Sequence, residues 1–359
     1  MIIITLYSIS ILLIYLLANK EYKRKHNKID NLSWKYVVIF TLLLVGVNYL
    51  YTYSPEFNMT GDRRNYQYGY EYDITPSLGL EYIFILAKHY LKLDFKELAL
   101  LITGLSIPLV FIAYKYAKGA KPLMLGLFLL TPYVINGFDN FKQTFTNGLA
   151  CLLFACLTIQ HSLFIDCFCI ILILLSCTFH PTGFILIPFY LLYRFNLRIK
   201  NIFLLLFIVC VGAIFMQPIL MLIASITSGI PFLSSKIIQY FAEDSDMGEG
   251  RIMISIKGIV YLYIAAVIIK NRIILESKLE GYAYYIIICV FTFLLYLLSY
   301  YNVWMPRMAE LFYFPVLFFW TKCLDYLPNK NRNIYISILL IGFFTYRLMW
   351  LCYVSPITQ

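Results

Sequence analysis

The chain has 359 residues, of which 61% are apolar and 13% charged, and its mean hydropathy is +0.77. Soluble domains carry about 25% charged residues, so the composition excludes a soluble domain and describes a polytopic membrane protein, one integral domain over residues 1–359. The net charge of +10 does not point to nucleic acid, because Lys and Arg gather in short clusters between apolar runs, as in cytoplasmic loops.

In chain order, the first apolar run, 1–18, has no basic residues before it and Lys20, Lys23, Arg24, Lys25 and Lys28 after it. That order suits an uncleaved first span with its N-terminus outside. Further spans are expected at 35–53, 95–116, 121–136, 142–160, 163–179, 181–194, 201–224, 252–270, 282–301, 307–322 and 333–352, an all-α bundle of about twelve helices. With this topology the inner loops receive Lys115, Lys118, Lys121, Arg194, Arg198, Lys200, Lys270, Arg272, Lys278, Lys322, Lys330 and Arg332, while most acidic residues fall outside. Segment 78–91 is too short to span and would invert every later loop if it did, so it is expected as an interfacial or re-entrant helix within the outer segment 54–94. Residues 163–193, interrupted at His180-Pro181-Thr182-Gly183, would run about 46 Å as one helix, too long for one straight span and too short for two full ones. The turns at 136–143 and 180–183 should therefore stop below the outer surface, making a polar funnel with Asp139, Lys142, Gln143 and His180 in its floor. The nine cysteines have no zinc-like or CxxC spacing and read as small buried hydrophobes.

Residues suited to chemistry fall on the outer side. Asp62, Arg63 and Arg64 are followed by Tyr66, Tyr68, Tyr70 and Tyr72: guanidiniums bind phosphate bidentately, and tyrosine rings offer amphipathic faces to sugars. An ordinary solvated loop with interfacial tyrosines is the plainer alternative. Asp139 and Lys142 open a span, where ionisable residues are costly; they are either functional or a structural ion pair. His180 stands at a buried turn, as a helix cap or as a base titrating near neutrality. Outer loop 225–251 holds Tyr240 and Arg251 around a solvated acidic run, a lid at most. Arg307 opens a late span on the outer side, with either an anionic ligand or Glu310 as its partner. No HExxH, Walker or nucleotide-binding glycine pattern occurs, so neither metal nor cofactor is expected.

Taken in order, Asp62 followed by Tyr70, Glu81 in a short amphipathic segment, Lys142-Gln143 heading a span, His180 with a small residue two places on, and Arg307 opening a late span resemble the EpsG family of Wzy-like polysaccharide polymerases. The resemblance covers roughly residues 55–315. It departs at Lys142, where an Arg is expected, which removes the bidentate fork but keeps the charge. The resemblance implies a GT-C-like architecture and a glycosyltransferase of the bacterial cytoplasmic membrane with its active site facing outward. Its substrates would be undecaprenyl-diphosphate-linked oligosaccharides, joined into O-antigen, capsule or exopolysaccharide, with a chain-length regulator as a possible partner.

The corresponding roles are Asp62 or His180 as base, Arg307 and Lys142 with Arg63 and Arg64 on the diphosphate, and Tyr66, Tyr70, Glu81, Asp139, Gln143, Tyr240 and Arg251 around the substrate. An O-antigen ligase or another polyprenyl-phosphate-dependent glycosyltransferase would use the same charges. A flippase or transporter would need ionisable residues near the midplane, where only Asp166 and Arg347 stand. An acyltransferase would lean on His180 but needs an inner acyl entrance.

Overall fold

The computed structural model describes residues 2–24, 32–53, 61–74, 78–130, 141–159, 162–195, 225, 248–279, 281–298, 304–328 and 331–342. All regular structure among them is helical. In chain order the α-helices are α1 (Ile2–Arg24), α2 (Trp34–Thr52), α3 (Gly61–Glu71), α4 (Leu78–Ile85), α5 (Phe95–Tyr116), α6 (Pro122–Leu130), α7 (Phe141–Cys156), α8 (Leu163–Phe179), α9 (Leu186–Arg194), α10 (Gly248–Lys270), α11 (Arg272–Lys278), α12 (Tyr282–Leu298), α13 (Trp304–Glu310), α14 (Tyr313–Cys323) and α15 (331–342). Among the described residues, α2 and α5 are long and apolar enough to cross a bilayer. A third candidate is α10 with α11, bent by 74° at Asn271. The chain divides into two compact units, the first built from α1–α9 and α14, the second from α10–α13 and α15.

The first unit is organised by aromatic and small-residue contacts that fix helix direction. Trp34 meets Tyr116 and Phe40 meets Phe111, so α2 and α5 are antiparallel. Gly148 of α7 lies against Leu109 and the Ser106 carbonyl of α5, where an added Cβ would come within 2.9 Å of Leu109. Small residues at such crossings let helices approach closely. Phe145 meets Phe179 at 4.4 Å, which places the start of α7 beside the end of α8. Tyr7 donates to the Leu129 carbonyl at 3.0 Å and joins α1 to α6, while Phe128 meets Phe314 edge-on and joins α6 to α14.

One end of this unit gathers the starts of α5 and α7, the end of α8, and the short helices α3 and α4. The other end gathers basic residues. There Lys115, though buried, donates to the Leu32 carbonyl at 3.0 Å and lies over the rings of Trp34 and Tyr116. Lys121 pairs with Asp325, and Arg24 with Glu21 at 2.9 Å. Asp94 caps α5 through a reciprocal capping box with Glu97.

The break at His180 behaves as its length requires. Helix α8 spans about 25 Å and ends at His180; a short 3-10 helix, Pro181–Ile185, then turns the chain into α9. Tyr190 donates to Asp166 at 3.1 Å and Tyr193 to the Leu157 carbonyl, so α9 returns along α8 as a hairpin. Segment 78–91 is helical and short, as expected, with Leu86–Tyr90 wound as a π-helix. Residues 61–71, expected as loop, instead form α3. That helix holds because Tyr66 and Tyr70, one turn apart, bury against α4 and α5 in a cluster with Leu80, Phe84, Phe95 and Leu98.

In the second unit, Tyr261 stacks on Tyr296 with ring centroids 5.0 Å apart, fixing α10 against α12. Tyr263 meets Tyr335 edge-on, joining α10 to α15, and Phe291 meets Phe312 just beyond α13.

Candidate functional site

Helix α3 is a two-sided helix, and its buried side is fastened at three points. Tyr70 donates to the Leu93 carbonyl at 2.6 Å, and its ring meets Phe84 edge-on at 5.2 Å. Burial pushes the Tyr70 phenol above its usual value. The last turn of α3 exposes carbonyls without helical partners. Lys88 supplies donors to them, reaching the carbonyls of Tyr70 and Glu71 at 3.0 Å each and the Asp73 carboxylate at 2.7 Å. A cation at a helix C-terminus is also favoured by the dipole. The hydrogen bond from Lys88 holds the Asp73 carboxyl below its usual range. The chain reverses at Asp73 (φ 58), where Ile74 N–H bonds the Gly69 carbonyl at 2.8 Å. A Cβ on Gly69 would sit 2.4 Å from the Ile74 oxygen, so that reversal requires glycine.

This fastening holds Tyr66 against Lys142. Lys142 lies in the first turn of α7, and its Nζ stands 5.4 Å from the Tyr66 ring centroid. A lysine at a helix N-terminus adds to the positive pole; the electron-rich face of tyrosine offsets part of that cost. The Lys142 ammonium and the helix pole are both groups of the kind that favour an anionic ligand. Behind it α7 carries a buried polar stripe of Gln143, Thr144, Thr146 and Asn147. Gln143, 4% exposed, donates to Asn147 Oδ1 at 2.9 Å, and Thr146 donates to the Lys142 carbonyl at 2.8 Å. Buried polar groups persist where hydrogen bonds compensate their desolvation.

His180, 3% exposed, links the end of α8 to the 3-10 helix. Its backbone N–H donates to the Ser176 carbonyl at 3.0 Å. Its ring Nδ1 accepts the Thr182 N–H at 3.2 Å and lies 2.8 Å from the Thr182 hydroxyl. A backbone N–H can only donate, so Nδ1 is an acceptor and the neutral ring carries its proton on Nε2. Pro181 fits the first helical position, where no N–H is needed. Gly183 packs so tightly that a Cβ would lie 2.6 Å from the Ser176 carbonyl carbon. Helix α4 closes over this turn: a Cβ on Gly79 would meet the Phe179 ring at 2.8 Å.

The residues singled out from sequence thus distribute unevenly. Tyr66, Tyr70, Lys142, Gln143 and His180 share one end of the first unit, the tyrosines buried and Lys142 half-buried. Asp62 and Arg63 stand in the first turn of α3, followed by Arg64, which is exposed; Glu81 is exposed on α4. Arg307 is half-buried on α13 of the second unit, three residues before Glu310, and Arg251 lies near the start of α10. Asp139 and Tyr240 lie outside the described residues.

Two contributors escaped the sequence reading, Lys88 and Asn147, whereas Thr182 is the small residue two places after His180 that the sequence singled out. Asn147 was legible, since Gln143 and Asn147 are one turn apart in an apolar span. Lys88 was not, because its partners are backbone carbonyls distant in sequence. The model of the EpsG family matches residues 34–359. No curated protein and no solved structure matches the chain.

Proposed function

Because the chain belongs to the EpsG family, whose context is exopolysaccharide biosynthesis, we propose that it is the polymerase joining undecaprenyl-diphosphate-linked repeat units at the outer face of the bacterial cytoplasmic membrane. The full bundle then has about twelve spans and forms a single glycosyltransferase domain, with the end bearing α3, α4 and the His180 turn facing outward. The observation that carries the reading is Lys142 at the head of α7, held over Tyr66 beside a hydrogen-bonded polar stripe.

In the reaction, an acceptor hydroxyl of one lipid-linked repeat attacks the anomeric carbon of the growing glycan. The new bond joins acceptor oxygen to that carbon, and the bond from the carbon to the diphosphate oxygen breaks. The hydroxyl proton passes to a base, and undecaprenyl diphosphate leaves with the bonding pair. The leaving group needs fixed positive charge, for which Lys142, Arg307 and Arg63 are the candidates. Such charges in a low-dielectric site contribute several kcal/mol to transition-state stabilisation. Asp62 is the better base. His180 has its one lone pair committed to Thr182, which suits it to donate from Nε2 to a phosphate or sugar oxygen. Glu81, Asp139, Gln143, Tyr240 and Arg251 are assigned to the saccharide, and a chain-length regulator to the assembly.

The test is gel analysis of surface polysaccharide from cells lacking the chain, complemented at matched membrane levels with wild type, Asp62→Asn or Arg307→Ala. A long ladder restored by wild type and reduced to single repeats in both variants supports the polymerase. A ladder that persists on the lipid carrier but never reaches its final anchor identifies a ligase instead, and no change on deletion sinks both.

A further inference from the structure

Helix α3 presents two tyrosine faces, and the interior uses only one. Tyr66 and Tyr70 are buried, whereas Tyr68 and Tyr72 are 55% and 62% exposed. The exposed rings lie 4.5 Å apart at 38°, forming one continuous aromatic surface. Exposed Arg64 extends the stripe by one turn, and the Gln67–Glu71 hydrogen bond of 2.6 Å borders it.

Other exposed tyrosines at this end have a different setting. Tyr49 and Tyr53 on α2 neighbour exposed Leu50, while Tyr82 and Tyr90 neighbour exposed Ile85, Leu86 and Leu91. Mixed aromatic and aliphatic exposure suits the headgroup boundary of a bilayer. Helix α3 contains no aliphatic residue, and its exposed neighbours are Arg64, Asn65, Glu71 and Asp73, with Ile74 the one exposed aliphatic side chain described just past its end. Acyl chains laid on this face would strip water from those charges without replacing it. The ligand that fits is apolar across its broad side and hydrogen-bonding around its rim, which describes a pyranose. Its C–H face stacks on tyrosine, and its hydroxyls reach the guanidinium, amide and carboxylate groups alongside. Arg64 adds charge complementarity to an acidic sugar. The same short helix, about 16 Å long, carries Tyr66 beneath Lys142, so this face is continuous with the candidate site.

We propose that Arg64, Tyr68 and Tyr72 form a glycan-holding platform that keeps the growing chain beside the site between additions. The proposal deepens the polymerase reading and rests on it for the identity of the glycan. Two readouts separate it from that reading. The first is the ladder made by a Tyr68→Ala/Tyr72→Ala chain and by a Tyr68→Phe/Tyr72→Phe chain at matched membrane levels. The second is binding of the strain's own polysaccharide, freed from lipid by mild acid, to the full-length protein in lipid nanodiscs.

The alanine pair is expected to keep the lowest rungs, shorten the modal length, and bind the polysaccharide about tenfold more weakly, as lost aromatic stacking predicts. The phenylalanine pair should retain both properties. An unchanged ladder and affinity in the alanine pair overturns the platform, even where Arg307→Ala still abolishes the ladder. Reduced membrane insertion of the alanine pair with unchanged affinity per molecule also overturns it, in favour of an interfacial belt. A wild-type chain that binds polysaccharide, with loss in the alanine pair, but whose deletion leaves the ladder intact sinks the polymerase reading and retains the platform.

Discussion

At the scale of single residues, His180 and Lys142 are distinguished by what their neighbours already take from them. His180 spends its acceptor on the Thr182 N–H, a task an asparagine can perform at a helix N-cap. His180→Asn should therefore stay within about 0.5 kcal/mol of wild-type stability, whereas His180→Ala should lose about 1 kcal/mol, read as thermal unfolding in detergent. If His180 also donates from Nε2 to substrate, polymer synthesis will fall in both variants despite this difference in stability. Lys142 faces the Tyr66 ring and supplies charge rather than a fork. Lys142→Arg should retain synthesis, and Lys142→Met should lower its rate about 100-fold, measured with lipid-linked repeats and purified protein.

At the scale of elements, α3 is a helix because Lys88 and two buried tyrosines hold it. Its sequence alone, with adjacent glycine, charge and tyrosine, read as loop. Lys88→Met removes donors to two carbonyls and to Asp73. Hydrogen exchange of amides 68–74 should rise several-fold, since local opening follows lost tertiary restraint. The pH dependence has a definite sign. Asp73's carboxyl is depressed in the folded protein, so its contribution is fully present above the ordinary value of 3.8 and is lost as pH falls through the lower folded value. Exchange at 68–74 should thus be insensitive to this pair near neutrality and rise only in strong acid. The His180 turn is tied to its glycine by sterics instead. Gly183→Ala would drive a Cβ into the Ser176 backbone and should cost about 1–3 kcal/mol.

At the scale of the whole molecule, the first unit separates two chemistries to its two ends. Tyr66, Lys142, Gln143 and His180 share one, while Lys115, Lys118, Lys121 and Lys322 share the other. With the first end facing outward, Tyr72→Cys will react with a membrane-impermeant maleimide in intact cells. Lys118→Cys will react only after permeabilisation. The reverse pattern inverts the orientation and removes the outward active site with it.

Composition and charge spacing were sufficient for the helical membrane class, the short helix at 78–91 and the break at His180. These depend on hydropathy, length and proline, which act locally along the chain. The separation of Lys142 and His180 from the basic cluster around Lys115 was also legible, because basic clusters mark alternate loops. The sequence did not separate Tyr66 and Tyr70 from Tyr68 and Tyr72, since alternating tyrosines carry no direction until a helix period sorts them into faces. That sorting needed α4 and α5 to bury one face. Likewise only tertiary structure brought Lys88 to the end of α3 and Lys142 to Tyr66, because both pairings join segments whose separation in sequence leaves no periodic trace.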